Sequence, residues 1–141
     1  LIPNAVLDTS AAVNLVLNNR HAADLAAKLD ETAFVMTPDL FCSEVASALW
    51  KYVRAGSLAL ETAIARFEEC IGLISSFVPG RELAHEALAA AARHQCSVYD
   101  MMYGVLARRS AALVITMDRS FARRLGEMEI DSYCPLLEPG Q

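Results

Sequence analysis

Ala5-Val6-Leu7-Asp8-Thr9-Ser10 is the stretch on which the fold turns. Three apolar residues stop at a carboxylate, and a helical pattern starts at once from Ser10. A short apolar run passing directly into a helix reads as a buried strand feeding a βα unit. The pattern returns at Phe34-Val35-Met36, where Thr37-Pro38 reads as a helix start, Thr as cap and Pro in the first helical position. That helix is expected to run to about Arg54, where Ala55-Gly56 stops it. Leu113-Val114-Ile115-Thr116 is a further buried strand, ending near Asp118 and followed by a short helix with Phe121 and Leu125. Ser132-Tyr133-Cys134 reads as a final edge strand before Pro135.

Between these units a long helix from about Leu58 carries Leu60, Ile64, Phe67, Ile71 and Ile74 at helical spacing. Pro79-Gly80 breaks the chain, an Ala-rich helix spans roughly Glu82 to Arg93, and Ser97 opens another over about Val98 to Arg109. Strands alternating with helices imply a parallel sheet covered on both faces, an α/β sandwich. No long linker, repeat or low-complexity tract divides residues 1–141, so a single domain is expected.

Composition narrows the class. The chain is 55% apolar and 21% charged, which supports a packed core and excludes a disordered chain. No apolar stretch reaches the roughly 18–20 residues needed to span a bilayer. The N-terminus shows neither an initiator Met nor a signal pattern, so a trimmed cytoplasmic chain is expected. Cys42, Cys70, Cys96 and Cys134 lie far apart, and His21, His85 and His94 complete no zinc spacing. Buried free thiols are therefore expected in preference to disulfides or a soft-metal site. The net charge of −5 is unusual for a nucleic-acid binder. RNA binding would need local basic patches, or a metal that reverses the sign of an acidic pocket.

Functional groups of open parallel sheets gather beyond the carboxyl ends of the strands. Asp8 and Asp118 stand there, and if their strands are neighbours the two carboxylates meet; Thr116 points to the same side as Asp118. Glu44 lies two turns into its helix among Phe41, Val45, Ala46, Ala48 and Leu49, with Ser47 and Lys51 on its face. A carboxylate in such surroundings needs a partner. Asp100 comes early in its helix, and Gly104 one turn on suggests a close approach by another backbone or a substrate.

Each acid has a plainer reading. Asp8 and Asp118 would cap the helices that follow them, Asp100 would form a capping box with Ser97, and Glu44 would pair with Lys51 or Arg54. For Asp39, in the first turn after Pro38, the helix-dipole reading is preferred. The four elements nonetheless converge on one end of the sheet. Two like charges about 4 Å apart repel by about 4 kcal/mol at an effective dielectric near 20. Crowded carboxylates must therefore stay partly protonated or surround a hard cation, and oxygen-only donors favour Mg²⁺ or Mn²⁺.

Four segments together resemble the PIN-domain family, and within it the VapC-type toxins of toxin–antitoxin pairs: Val6-Leu7-Asp8-Thr9-Ser10, Cys42-Ser43-Glu44-Val45-Ala46-Ser47-Ala48-Leu49, Val98-Tyr99-Asp100-Met101-Met102-Tyr103 and Ile115-Thr116-Met117-Asp118. Singly weak, they form a specific set in their order. The resemblance implies a three-layer α/β/α sandwich with a five-stranded parallel sheet. It also implies a Mg²⁺- or Mn²⁺-dependent endoribonuclease with acidic roles at Asp8, Glu44, Asp100 and Asp118, and Thr116 as a polar neighbour. It further implies products with 5′-phosphate and 3′-hydroxyl ends, a homodimer, and a separate antitoxin that buries a segment in the acidic groove. Asp118, the least uniform position in the family, would act through water rather than as a direct ligand.

No residue offers a histidine-pair route through a cyclic phosphate. Lys51, Arg54, Arg108, Arg109, Arg119 and Arg123 are candidates for an RNA track, each equally readable as a solvated helix charge. The stripe from Leu60 to Ile74 reads first as core and second as a dimer or antitoxin surface. Two other functions compete. An aspartyl-phosphate domain using Asp8 is weakened by the absence of a second Asp shortly after it, and a non-catalytic PIN-fold binding module by the complete acidic set. No GxGxxG follows the first strand, which weighs against a dinucleotide enzyme.

Overall fold

The computed structural model describes residues 3–137. Its elements run β1 (Asn4–Leu7), α1 (Thr9–Val16), α2 (Ala22–Asp30), β2 (Phe34–Pro38), α3 (Leu40–Arg54), α4 (Leu60–Gly72), β3 (Ser76–Val78), α5 (Gly80–His94), α6 (Val98–Ser110), β4 (Leu113–Ile115), α7 (Arg119–Glu127) and β5 (Ser132–Tyr133). The strands form one parallel sheet in the order β3-β2-β1-β4-β5. After β1 the chain builds outward through β2 and β3, then returns to add β4 and β5 on the other side. The order thus reverses between β1 and β4, which is where such a sheet opens a crevice beyond its strand ends.

Burial on both faces explains the continuous apolar strands. Ala5 and Leu7 of β1 join Ala11, Leu25, Phe41 and Leu49 from α1, α2 and α3 in one core. Val6, between them, joins Leu83, Met101, Val105 and Leu125 from α5, α6 and α7 in the other. In β4, Ile115 and Val114 divide the same way. Each large apolar side chain taken from water contributes roughly 1.5–3 kcal/mol. A one-residue slip would turn every one of them to the wrong layer. The result is a three-layer α/β/α sandwich.

Gly56 ends α3 as the sequence suggests. Its φ of +78° lets Ser57 N–H reach the Tyr52 carbonyl at 2.9 Å and Gly56 N–H reach that of Val53 at 3.0 Å. The start of α3 differs from expectation. Thr37 and Pro38 belong to β2, paired with Phe77 and Val78 of β3. The Thr37 hydroxyl is buried and donates to the Leu7 carbonyl at 2.9 Å, so sheet pairing claims it before any helix can. Asp39 precedes α3 but makes no side-chain cap there. Its carboxylate accepts the Gly80 N–H at 3.0 Å and so serves the start of α5. Neither β3 nor α2 stands out in the sequence: β3 is three residues long, and α2 is dominated by small and charged residues.

The α4 stripe divides. Phe67, Ile71 and Ile74 pack against the core, whereas Leu60 and Ile64 remain more than half exposed, beside exposed Trp50 of α3. Gly104 is not required by a close backbone. A Cβ there would meet the Leu125 Cδ2 at 3.4 Å, an ordinary contact with a flexible side-chain end. Gly104→Ala is therefore expected to stabilise the fold by about 0.5–1 kcal/mol through helix propensity, read from urea midpoints. A loss of stability would show that Leu125 cannot yield. The four cysteines are free thiols. Among the described residues no helix is long and apolar enough to cross a membrane.

Candidate active site

The switch between β1 and β4 places the first group. Leu7 pairs with Ile115, and Asp8 N–H continues the ladder to the Ile115 carbonyl at 3.1 Å. Asp8 then caps α1: Oδ1 accepts Ala11 N–H at 3.0 Å and the Ser10 hydroxyl at 2.7 Å. The Thr116 hydroxyl donates to Oδ2 and in turn accepts Asp118 N–H at 3.0 Å. Ser10 Oγ also accepts Met117 N–H at 2.9 Å, so two hydroxyls stitch the two strand ends around one carboxylate. Asp8 is only 7% exposed. Burial pushes its carboxyl up from 3.8 to about 6, and Asp118 adds to the rise, although the bonds from Thr116, Ala11 and Ser10 hold it down in part.

Asp118 caps α7, with Oδ1 accepting Phe121 N–H at 3.0 Å, and is exposed. Asp100 stands in the first turn of α6, where Ser97 accepts Tyr99 N–H at 3.1 Å and Asp100 N–H at 3.4 Å. Burial raises the Asp100 carboxyl, with Asp118 and then Glu44 adding to it. Glu44 reaches in from α3. Its Oε1 accepts the Tyr103 hydroxyl at 2.7 Å and the Thr9 hydroxyl at 3.3 Å. The capping readings of Asp8 and Asp118 are thus correct, and each still leaves the residue facing the other acids. The alternative pairing of Glu44 with Lys51 or Arg54 is absent: among the described residues, no basic side chain forms an ion pair with any of the four acids.

The four carboxylates lie along an acidic arc: Thr116 bridges Asp8 and the Asp118 N–H, Asp100 and Asp118 line one cleft, and Thr9, next to Asp8, and Tyr103, one turn beyond Asp100, hold Glu44. Among the described residues no three Asp, Glu, His or Cys side chains stand close enough to enclose a metal ion as placed. The arrangement suits a hard cation by its chemistry: carboxylate oxygens, those of Asp8 and Asp100 raised chiefly by burial, that lack a positive partner among the described residues. It does not present a closed cage.

The PIN domain profile matches residues 5–125, a span that includes all four acids. The chain belongs to the PIN-domain family. Ribonuclease VapC3 of Pyrobaculum aerophilum is 29% identical over 121 residues, covering 84% of this chain and 92% of that protein. The crystal structure of PAE2754 from Pyrobaculum aerophilum superposes with a TM-score of 0.69 at 21% identity, covering 88% of this chain and 87% of the other. That of FitAcB from Neisseria gonorrhoeae gives 0.63 at 16% identity, covering 93% and 97%. These two structures share the fold of this PIN domain.

Two clefts flank the acidic arc of the PIN domain. One, of about 240 Å³, is lined by Thr9, Ser10, Asn14, Lys51 and Tyr52 among others. The second, of about 200 Å³, has Asp100, Asp118, Cys96, Ser120 and Arg124 in its walls. Lys51 thus lines the first cleft, and Arg54, Arg119 and Arg123 are exposed on α3 and α7. Arg108 leaves the expected track. It sits toward the far end of α6 from Asp100 and pairs with Glu86 at 3.0 Å, beside Arg109 at 2.7 Å. Arg124, passed over in the sequence, borders the second cleft but donates to the His94 carbonyl at 2.7 Å.

Sequence reasoning also missed the supporting hydroxyls of Ser10, Thr9 and Tyr103. Tyr103 had one legible clue: it follows Asp100 by three residues, on the same helix face, and a tyrosine buried there needs a partner for its hydroxyl. Burial, together with Glu44, pushes its phenol above the ordinary range, so it stays a donor.

Proposed function

We propose that this PIN domain is a Mg²⁺- or Mn²⁺-dependent endoribonuclease acting in the cytoplasm as the toxin of a type II toxin–antitoxin pair. One observation carries the reading: at the switch point of a PIN sheet Asp8 is tied through Thr116 to Asp118, and Thr9 and Tyr103, neighbours of Asp8 and Asp100, hold Glu44, with no ion pair to any of these acids among the described residues. Similarity to a protein named ribonuclease VapC3 supplies the substrate class. Asp8, Glu44 and Asp100 would hold the cation, with Asp118 completing the site directly or through water. When bound, the cation supplies Lewis acidity toward a phosphate oxygen. The chain's own groups do the rest. Ser10 and Thr116 fix the Asp8 carboxylate, and exposed Asp118, with one oxygen engaged by Phe121 N–H, orients the attacking water and accepts its proton. A bond from that water to phosphorus, with the bond from phosphorus to the 3′-oxygen broken and that oxygen taking up a proton, would leave a 5′-phosphate and a 3′-hydroxyl.

Incubation of total RNA with Mg²⁺, Mn²⁺ or EDTA tests this. Discrete fragments that need the metal and vanish in Asp100→Asn are expected. Cleavage indifferent to EDTA and to Asp100→Asn would overturn the assignment. Lys51, at the lip of the Thr9 cleft, is proposed to hold an RNA phosphate, with Arg54, Arg119 and Arg123 extending the track. Lys51→Ala should weaken RNA binding and reduce the slope of log affinity against log salt by about one contact, roughly 0.7 for a single strand. An unchanged slope would remove Lys51 from the track.

The exposed apolar cleft of about 210 Å³ between α3 and α4, with Trp50, Leu60 and Ile64 in its walls, is the proposed surface for protein association. Its apolar lining suits one face of a partner helix, from the antitoxin or a second copy. Ile64→Glu should leave RNA cleavage intact and abolish antitoxin neutralisation or dimer mass. Retention of both associations would place the partner surface elsewhere.

A further inference from the structure

We propose that Tyr103 is a positioning residue for Glu44: with Thr9 it fixes one carboxylate oxygen and leaves the other as the oxygen available to a divalent cation. The inference rests on the nuclease reading above and assigns a role to a residue that would not itself touch metal or RNA. The geometry is a closed triangle. Tyr103 Oη lies 2.7 Å from Glu44 Oε1, Thr9 Oγ1 lies 3.3 Å from the same oxygen, and the two hydroxyls are 3.1 Å apart. Both contacts fall on Oε1. The Tyr103 ring is 3% exposed and belongs to the core shared by α5, α6 and α7, so its hydroxyl is presented from a fixed base.

The network also ties three acids together. Thr9 follows Asp8, Tyr103 lies one helical turn beyond Asp100, and both bind Glu44. A glutamate reaching inward from a helix has three torsions to immobilise, and ordering such a side chain costs up to about 2 kcal/mol. A charge-assisted bond from a rigid phenol meets that cost before any cation arrives. Partners that orient a metal ligand in this way typically change metal affinity by about 10–100-fold when removed. A tyrosine that merely satisfied its own hydroxyl would affect stability and leave cation affinity alone.

The test is calorimetric titration of the full chain with Mn²⁺ alone, without RNA, for wild type, Tyr103→Phe and Leu106→Ala. Leu106, buried in the same core, gives a packing defect that removes no hydroxyl. Tyr103→Phe is expected to raise the Mn²⁺ Kd about tenfold or more, while Leu106→Ala leaves it within about twofold. Thr9→Val, at a half-buried position, supplies a second variant with a loss in the same direction should Tyr103→Phe fold poorly. Unchanged affinity in folded Tyr103→Phe or Thr9→Val, or an equal loss in Leu106→Ala, overturns the positioning role while the nuclease reading stands. Failure of wild type to bind Mn²⁺ overturns both.

Discussion

Asp8→Asn is expected to abolish RNA cleavage and at the same time make the metal-free protein more stable. The two effects have one origin. The Asp8 carboxyl is buried, lies near Asp118, and has its pKa raised from 3.8 to about 6. A group raised on folding favours the folded state when protonated. Its contribution is complete below pH 3.8 and is lost as pH climbs through about 6. At pH 7 the buried charge therefore costs the fold about 3 kcal/mol relative to a neutral group. Asparagine removes that cost and keeps an acceptor for Ala11 N–H, since Asn caps a helix as well as Asp does. In EDTA at pH 7 the midpoint should rise by something on the order of 10 °C, and the gain should vanish near pH 4. Loss of stability at pH 7 would mean that the bonds from Thr116 and Ser10 outweigh desolvation. Retained cleavage would reduce Asp8 to a helix cap.

The second large effect is that of the divalent cation itself. EDTA should silence cleavage and leave the fold intact, because both cores are assembled from apolar side chains and the caps made by Asp8 and Asp118 form without a cation. Adding Mn²⁺ to about 100 times its Kd should raise stability by about 2.7 kcal/mol through mass action. Part of that gain comes from offsetting the burial, and secondarily the acidic neighbours, that raise the carboxyls of Asp8 and Asp100. Asp100→Asn should lose most of the Mn²⁺-induced stabilisation together with activity. Thermal melts of both proteins with and without Mn²⁺ check this. An equal shift in wild type and variant would mean that the cation binds elsewhere.

Three of the acids were legible because they occupy positions with local meaning. Asp8 and Asp118 terminate apolar strands, and Asp100 follows a serine that opens a helix. Their surroundings were less legible. Thr37-Pro38 looked like a helix start by local preference, yet the parallel pairing of β2 with β3 holds both residues in the sheet. Asp39 stands at the N-terminus of α3 as expected, but its carboxylate bonds the Gly80 N–H of α5, forty-one residues away. Arg108 read as a free charge near the Asp100 helix, but Glu86 of α5 engages it. In each case a partner distant in sequence outcompeted a local preference worth about 1 kcal/mol.

Hydrophobic periodicity and strand-end carboxylates, read from the sequence by itself, determined the sandwich and the places of Asp8 and Asp118 at the ends of β1 and β4. That information is carried by neighbours along the chain, through strand alternation, helical spacing and capping. Only the tertiary structure decided how each acid is held. Thr116 reaches Asp8 across 108 residues, Thr9 reaches Glu44 across 35 and Tyr103 reaches it across 59. Such bonds form only after packing has put their donors in place, and no local preference encodes them.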